Sequence, residues 1–349
     1  MSDSGKLLIL HTNDIHSHLE QTAKVDTLFR SLRSGYGPHQ TLTLDIGDHM
    51  DRMRMETEGT DGRVNIDILQ RTGYDAVTPG NNEGLTFSAD VLEQLYSDAP
   101  FTVICCNLKE QSTGEHPRWM KPYDILQKDG VTIGLIGATA AFSDFYELLG
   151  WTVSEPVSEI QLWVERIRPQ VDILILMSHL GLRDDEHIAK TIPGIDFILG
   201  GHTHHLLETP RRIGNTWISA AGKFGNYCGM LEVEYDLVSR AVSRVKGCCI
   251  ETEPAEPSAE IDQVIEEHVQ KAAARLDQSV CVLPEKLEIS WGKESPLGNL
   301  LASGLRSWAK ADIGIVNAGQ ILEGLEPGKV TQAGCLKFAL RPSIRAGLS

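Results

Sequence analysis

The sequence predicts an α/β protein in which short buried strands alternate with helices. Five apolar runs of strand length each end in a turn that carries residues able to bind a metal. Between several of these runs, apolar residues recur at the spacing of an amphipathic helix. The chain contains no internal repeat of about 20 to 50 residues, so a solenoid or propeller is not expected. Together these observations favour a layered fold with functional groups at the strand ends.

The first apolar run, residues 7–10, leads into Asp14 and His16. Its uninterrupted hydrophobicity is typical of a strand that is covered on both faces. On a tight turn, an Asp-x-His triplet presents a carboxylate oxygen and an imidazole nitrogen to one divalent ion. Taken alone, the triplet is equally well explained as a polar strand end with solvated side chains.

Four later segments repeat this order of strand, turn and ligand-type residue. They end in Gly47-Asp48, in Gly80-Asn81-Asn82-Glu83, in Ser178-His179 and in Gly200-Gly201-His202-Thr203-His204. Functional groups of open α/β sheets gather at the carboxyl ends of strands. We therefore expect the five segments to converge on one crevice.

The remaining elements follow from apolar spacing and turn residues. Further strands are expected at 131–137 and, as a pair joined at 222–229, within 216–234. The helix at 88–96 is expected to begin with Ser88 as its cap, and Gly35 is expected to end the first helix. Helices are predicted at 19–33, 64–72, 88–96, 157–167 and 261–276.

Composition argues against two classes of partner. The formal net charge of −16 disfavours a polymeric nucleic acid, because binding its backbone needs clustered Lys and Arg. Membrane residence is not expected either, since no apolar run approaches the roughly 20 residues that span a bilayer. The opening MSDSGKLLIL lacks the features of a signal peptide, so a cytoplasmic location is expected.

The cysteines do not form the pattern of a disulfide framework. There are seven, an odd number, with adjacent pairs at Cys105-Cys106 and Cys248-Cys249. This usage suits a reducing compartment, and we expect the cysteines to act as small buried apolar residues.

The ordered motifs Asp-x-His, Gly-Asp, Gly-Asn-x-Glu, His and Gly-His-x-His resemble those of the calcineurin-like metallophosphoesterases. The opening HTNDIHSH is similar to the 5′-nucleotidase branch, and the resemblance covers most of the first 250 residues. It implies a four-layer αββα sandwich, which the order of elements alone does not distinguish from a single doubly wound sheet. It also implies a catalytic domain at 1–250.

The resemblance implies two metal sites that share one carboxylate. Two divalent ions about 3.5 to 4 Å apart need such an anion to offset their repulsion. Imidazole and amide ligands suit Mn, Zn, Fe or Co better than Ca²⁺, so the expected cofactors are two divalent ions of this group. Asp14, His16 and His204 are expected to bind one ion and Asn81, His179 and His202 the other, with Asp48 bridging the two.

The expected reaction is hydrolysis of phosphate esters or anhydrides of nucleotide-like substrates. A paired metal site lowers the pKa of bound water from 15.7 toward about 7, which supplies hydroxide for in-line attack on phosphorus. A nonenzymatic metal- or nucleotide-binding descendant and a general phosphodiesterase are the alternatives. The expected partner is a nucleotide or another small phosphorylated molecule; substrate-binding residues and oligomeric state are not predicted.

One departure from the family concerns proton transfer. Where 5′-nucleotidases read Gly-Asn-His-Glu, this chain has Asn82, and Leu85 occupies the place of the Asp that partners the His. Asn82 and Asp48 are the candidate catalytic residues. An amide cannot donate a proton as an imidazolium does, and general acid catalysis is worth about 10²- to 10⁴-fold. Alternatively, Asn82 caps the following helix and His18 or His49 supplies the proton.

Other polar residues near the motifs carry weaker signals. His11 lies inside an apolar run and is predicted to be a hydrogen-bonded core histidine. His18, His49 and His205 are expected to support ligands or to be solvated. Asp45 and Asp51 are candidates for orienting ligands.

Beyond the catalytic domain, residues 251–276 are predicted to form a linker, ETEPAEPSAE, and a bridging helix. Residues 277–349 are predicted to be an incomplete 5′-nucleotidase C-terminal domain, because 295–331 resembles the opening of that domain. The family's Asn-Gly-Gly-x-Arg is replaced at 317–321 by NAGQI, so a phosphate-binding Arg is missing. The resemblance stops after Thr331, which predicts a truncation or a shifted reading frame near Gln332; a natural tail is the alternative.

Overall fold

The computed structural model of the protein describes residues 4–338, in which strands and helices alternate as predicted. The strands are β1 (Ser4–Thr12), β2 (Thr41–Asp45), β3 (Ala76–Val77), β4 (Thr102–Ile104), β5 (Leu108–Glu110), β6 (Met120–Lys121), β7 (Tyr123–Lys128), β8 (Val131–Thr139), β9 (Trp151–Val153), β10 (Ile173–His179), β11 (Phe197–Gly200), β12 (Arg211–Ile213), β13 (Thr216–Ala220), β14 (Tyr227–Asp236), β15 (Val242–Glu251), β16 (Ser279–Leu283) and β17 (Gly328–Thr331).

The predicted helices are all present, with ends that differ by a residue or two from the expected ones. Ser88 accepts a hydrogen bond from the Val91 N–H at the start of the fifth helix, as predicted for a cap. The helices are α1 (Leu19–Arg33), α2 (Met55–Gly59), α3 (Arg63–Thr72), α4 (Asn81–Thr86), α5 (Ala89–Tyr96), α6 (Ser143–Leu148), α7 (Pro156–Ile167), α8 (Leu182–Thr191), α9 (Ala259–Leu276), α10 (Pro296–Trp308) and α11 (Gln332–Phe338).

The chain divides into two compact units. The first runs up to Asp51 and continues over Arg63–Ile265, and the second comprises Arg52–Gly62 and the residues from Glu266 onward. The domain boundaries inferred from composition and resemblance stay a prediction.

Two mixed sheets form the centre of the first unit. One has the strand order β15-β14-β1-β2-β3-β4-β6, and the other has the order β12-β13-β11-β10-β8-β7. Strands β1 to β4 are parallel to one another, as are β8, β10, β11 and β13. The parallel strands therefore deliver their carboxyl ends to a common edge of each sheet.

Three apolar clusters show the layering of the first unit. Leu7 and Ile9 of β1 belong to the cluster between the two sheets, together with Ile175 and Met177 of β10. The alternate residues of β1 pack on the other side, in a cluster that includes residues of α1, α3 and α5. A third cluster joins the second sheet to α7 and α8. The α/β prediction is thus confirmed, and the layers run helix, sheet, sheet, helix.

The second unit has a smaller core. Strands β16 and β17 pair antiparallel, and Leu297 of α10 and Ile321 are its fully buried cluster members. Several large apolar side chains are exposed, among them Ile315, at 82%. The predicted tail at 332–349 falls partly on α11; its residues 339–349 lie outside the described residues. Within the described part of the chain, no helix combines the length and hydrophobicity that crossing a membrane requires.

Candidate metal centre

The ligand-type residues lie where five strands end. Strands β1, β2 and β3 of the first sheet and β10 and β11 of the second lead directly into them. The two sheets pack face to face through a shared apolar cluster, so the ends of these strands meet at one place. Asp14 and His16 follow β1, Asp48 follows β2, Asn81 follows β3, His179 ends β10, and His202 and His204 follow β11.

Asp14, His16 and His204 form one compact donor group. His16 Nε2 lies 3.1 Å from His204 Nε2. Asp14 Oδ1 is 3.4 Å from His204 Nε2 and 3.8 Å from His16 Nε2. The three donor atoms lie within 4.8 Å of one another, which is close enough to hold a single ion.

A second compact group contains Asp14, Asp48 and His179. Asp48 Oδ1 lies 3.4 Å from His179 Nε2, and Asp48 Oδ2 lies 3.9 Å from His16 Nε2. His179 Nδ1 is 2.7 Å from the Ile46 carbonyl oxygen, so it donates there and leaves Nε2 to face the carboxylates. Asp48 therefore lies between His16 and His179.

Two further predicted ligands border the second group. The buried Asn81 Oδ1 has no hydrogen-bond partner among the described residues, and neither does His179 Nε2. The His202 ring lies 5.3 Å from the His179 ring, outside both compact groups, and the His202 N–H donates to Asp14. A buried acceptor without a partner, such as Asn81 Oδ1, is costly, and a divalent cation would satisfy it and would replace the proton on His179 Nε2. The donor set thus fits metal binding.

The backbone at the site is held in an unusual conformation. Of the eleven described non-glycine residues with positive φ, five are predicted ligands. Such conformations cost on the order of 1–3 kcal/mol each and persist only where the surroundings impose them. This strain concentrates on the turns that aim the donors. The five residues are Asp14 (52°), His16 (48°), Asp48 (51°), His202 (70°) and His204 (58°).

The carboxylates and imidazoles of the site shift one another's pKa values. Burial opposes ionisation of Asp48, but the charges of His179 and His16 and the Asn82 N–H outweigh it and lower the Asp48 pKa to about 2. Burial likewise lowers the pKa of His179, but Asp48 and Asp14 reverse this and raise it to about 10. The carboxylates therefore attract positive charge in the buried centre.

Glu83 supports the candidate site, although sequence reasoning assigned it no role. It is buried, and its carboxylate accepts hydrogen bonds from the N–H groups of Asp48 (3.0 Å), Met50 (2.9 Å) and Gly80 (2.8 Å). It thereby ties the turn that carries Asp48 to the start of α4. Its signal was a glutamate three residues after the Gly80 cap, the spacing of a capping box.

Asn82 does not cap the helix, since Gly80 occupies that position. The Asn82 N–H donates to Asp48 Oδ1 at 2.7 Å, and its Nδ2 lies 2.9 Å from His16 Nδ1. Leu85, one turn later, is partly buried against the apolar cluster of the outer helices. Neither residue supplies an ionisable group near the donors.

Of the four other histidines singled out from the sequence, two are buried. His11 Nε2 lies 3.0 Å from the Ser219 hydroxyl, and burial lowers the His11 pKa to about 4, which confirms the prediction of a hydrogen-bonded core histidine. His49 is 3% exposed, contacts Asn65 and is kept neutral because burial lowers its pKa to about 3. A buried histidine with a lowered pKa is a poor cationic acid, which disfavours His49 as the proton donor.

His18 and His205 lie nearer the surface. His18 is 3.2 Å from Glu20, and its ring lies tilted against the Phe224 ring with a centroid distance of 4.1 Å. His205 is exposed, and its Nδ1 lies 2.8 Å from the Thr203 hydroxyl.

Asp45 and Asp51 occupy positions from which they orient the site. Asp45 is buried and accepts hydrogen bonds from the Thr12 hydroxyl and the Gly47 N–H, which fixes the turn before Asp48. Asp51 Oδ2 lies 3.5 Å from His16 Nδ1, the nitrogen that faces away from His204.

Comparison with known families gives two matches. Residues 7–206 match the model of the calcineurin-like phosphoesterases, and residues 273–338 match that of the 5′-nucleotidase C-terminal domain. The first match covers more than half of the chain and includes every segment of the candidate metal centre.

Two relatives come from Bacillus subtilis (strain 168). The uncharacterized metallophosphoesterase YunD is 38% identical over 331 residues, which are 94% of this chain and 71% of that protein. The trifunctional nucleotide phosphoesterase protein YfkN is 26% identical over 381 residues, covering 93% of this chain and 25% of that protein.

Solved structures show the same fold. The 5′-nucleotidase precursor from Thermus thermophilus has a TM-score of 0.71 at 22% identity, and the Haemophilus influenzae NAD nucleotidase has a TM-score of 0.77 at 18% identity. In each case the similarity covers 96% of this chain and 74% of the other chain.

Proposed function

Because the chain belongs to the calcineurin-like phosphoesterase family, we propose that it hydrolyses phosphate esters or anhydrides of nucleotide-like substrates at a centre of two divalent metals. The resemblance stated from the five motifs is thereby confirmed at the level of the family. The chain is a phosphoesterase; the number of metals and the choice of substrate are the proposed parts.

The position of Asp48 is the observation that carries the two-metal proposal. One of its carboxylate oxygens faces His16, at 3.9 Å, and the other faces His179, at 3.4 Å. A carboxylate that faces donors of two groups is placed to bind two cations at once. Asp14 belongs to both compact groups as well, so the anionic charge lies between the two sets of donors.

The donors suit transition metals. Imidazole nitrogens and amide or carboxylate oxygens favour Mn, Zn, Fe or Co over Ca²⁺, which binds oxygen throughout. When bound, such ions polarise phosphoryl oxygens and lower the pKa of water, which is the chemistry that phosphoester hydrolysis needs. No nucleophilic side chain is then required.

The chain's own residues prepare the donors for this task. The Ile46 carbonyl fixes which nitrogen of His179 faces the site, and Glu83 holds the turn of Asp48 from behind. The amide of Asn13 donates to Asp14 Oδ2 at 2.8 Å, which orients that carboxylate. Such supporting hydrogen bonds set ligand direction and are worth about 10- to 100-fold in metal affinity.

A nucleotide-like substrate is proposed from two observations. Residues 273–338 match the 5′-nucleotidase C-terminal domain, and YfkN is named a nucleotide phosphoesterase. A general phosphodiesterase is the second candidate, because His204 is 34% exposed at its side chain and leaves that side of the site open.

The test combines elemental analysis with turnover. We expect close to two transition-metal ions per chain and phosphate release from nucleoside phosphates that chelation abolishes and added metal restores. Asp48→Asn keeps the shape but removes the charge, so it should lose both ions and at least about a hundredfold in turnover. Asp98→Asn, at an exposed site, is the matched control. If Asp48→Asn binds as much metal as the parent, the bridging role is wrong.

We also propose a cytoplasmic location. The seven cysteines all lie within the described residues and carry free thiols, which suits a reducing compartment. Fractionation of the cells that make the protein tests this, and recovery outside the cytoplasm would contradict it.

A further inference from the structure

We propose that Lys223 binds a second anionic group of the substrate, so that the centre prefers substrates in which two phosphoryl groups are joined, such as nucleoside diphosphates. The proposal rests on the phosphohydrolase function proposed above and names a substrate-binding residue for it. Lys223 belongs to the loop at residues 222–225, which contacts the candidate metal centre.

The loop is fastened to the turn that carries a predicted ligand. The Phe224 N–H donates to the Asp14 carbonyl at 2.7 Å. The Asn13 side chain donates to the Gly222 carbonyl at 2.7 Å and accepts from the Ala221 N–H at 2.9 Å. Lys223 is therefore held at a fixed place relative to Asp14, although its side chain is on the surface.

The loop is also strained. Phe224 has a φ of 62°, in the left-handed region that a bulky residue rarely adopts, and Gly222 and Gly225 on either side have φ values of 75° and 68°. Strain of this kind collects at binding sites, where the surroundings impose it. A glycine at position 224 would adopt this φ without strain, whereas phenylalanine adopts it at a conformational cost.

The strained backbone places the Phe224 ring among the histidines of the site. The ring lies tilted against the His18 ring, with a centroid distance of 4.1 Å, and makes an edge contact with His16 at 5.9 Å and a tilted contact with His204 at 6.5 Å. Lys223 Nζ lies 4.5 Å from the centroid of the same ring, which is a cation–π contact. The ring thus forms a platform between the first donor group and the ammonium.

The positive charge of Lys223 is available to bind an anion. Lys223 is exposed, and among the described residues it has no ion-pair partner. The donors of the centre are carboxylates and imidazoles, which attract metal ions. The negative charge of a second phosphoryl group therefore needs another cation to offset it. A free ammonium beyond the Phe224 ring meets that need, since charge-assisted contacts to phosphate oxygens are strong.

The absence of an imidazole at position 82 points to the same substrates. In hydrolysis of a phosphoanhydride, the oxygen of water bonds to the attacked phosphorus and the bridging P–O bond breaks. The electron pair stays on the departing phosphate, which is a weak base, and the proton of water passes to solvent. Lys223 offsets the charge of that phosphate, so no proton donor is needed. An alkoxide leaving group would lack both kinds of help.

The test compares ADP with 4-nitrophenyl phosphate, which has one phosphoryl group. In Lys223→Gln we expect kcat/KM to fall about tenfold or more for ADP and to stay within about twofold for the aryl ester. Lys223→Arg should restore most of the ADP rate. Lys246→Gln, which removes the same charge from β15, should match the parent. Because both substrates are assayed on one preparation, the ratio does not depend on the folded fraction.

Two outcomes would overturn the proposal: an equal loss on both substrates, or an ADP rate that Lys223→Gln leaves unchanged. Both leave the proposed function intact, because the parent still turns over the aryl ester. A metal-loaded parent that hydrolyses neither substrate would instead defeat the proposed function, and with it this inference.

Discussion

The Asn82 side-chain nitrogen lies 2.9 Å from His16 Nδ1. An amide thus contacts a predicted metal ligand at the position where 5′-nucleotidases carry a catalytic imidazole. Its main-chain N–H donates to Asp48 at the same time. Asn82 is therefore tied to two predicted ligands, and it has no proton that it can give to a leaving group.

The first prediction is that turnover falls steeply with the basicity of the leaving group. Aryl phosphates with acidic phenols should react well, and alkyl phosphates should react poorly, because general acid catalysis contributes about 10²- to 10⁴-fold and is missing here. A series of aryl and alkyl phosphates at fixed pH measures the slope. Asn82→His combined with Leu85→Asp should flatten it, since these positions are one helical turn apart on α4.

The control for this prediction is His18→Gln. His49 is buried and neutral, so His18 is the remaining histidine among those first considered as proton donors. A shallow slope in the parent that becomes steep in His18→Gln would identify His18 as the acid and refute the interpretation of Asn82.

Sequence patterns were sufficient to predict where the strands end and which types of residue follow them. Apolar runs set the strands, and each predicted ligand stands at the end of one of them because parallel strands share an edge. The capping-box spacing indicates the contact of Glu83 with Gly80, but neither the contact of Glu83 with Asp48 nor the contacts of Phe224 could be predicted in this way. Both act through contacts between distant segments: Glu83 through the main chain of Asp48, and Phe224 through three histidine rings and a strained φ. The local secondary-structure propensity of a segment gives no information on contacts between distant segments.

The second prediction concerns the close approach of Gly80 to Asp48. A Cβ at position 80 would lie 2.2 Å from Asp48 Oδ1 and 2.4 Å from the Asp48 N, so Gly80→Ala must push the carboxylate away. We expect loss of at least one metal ion and a destabilisation of about 1–3 kcal/mol, as overpacking usually costs. Elemental analysis and urea unfolding measure the two effects.

Gly35→Ala is the matched control, because the nearest atom to its added Cβ is 3.9 Å away. It should keep both the metal content and the stability of the parent. Should Gly80→Ala bind metal as the parent does, the close packing of Gly80 on Asp48 would not be needed for the centre.

The last prediction uses Asp185, a buried carboxyl group on α8. Its Oδ1 accepts a hydrogen bond from the Ser178 hydroxyl, whereas Oδ2 has no partner among the described residues. Burial raises the Asp185 pKa to about 8, above the value of about 3.9 in an unfolded chain. The folded state therefore holds a proton that the unfolded state loses, and stability that is present below pH 4 is lost as the pH rises toward 8. Asp185→Asn keeps an acceptor for Ser178 and cannot ionise.

We expect metal-free Asp185→Asn to resist urea more than the metal-free parent at pH 8, and to lose this advantage as the pH falls to 5. One pKa unit corresponds to about 1.4 kcal/mol, so the difference between the two pH values should reach a few kcal/mol. Asp98→Asn, at an exposed residue away from α8, removes one carboxylate charge as well and should follow the parent at both pH values. If Asp185→Asn and the parent keep the same stability difference from pH 5 to pH 8, the carboxyl group is ionised in the folded protein and its burial is offset in another way.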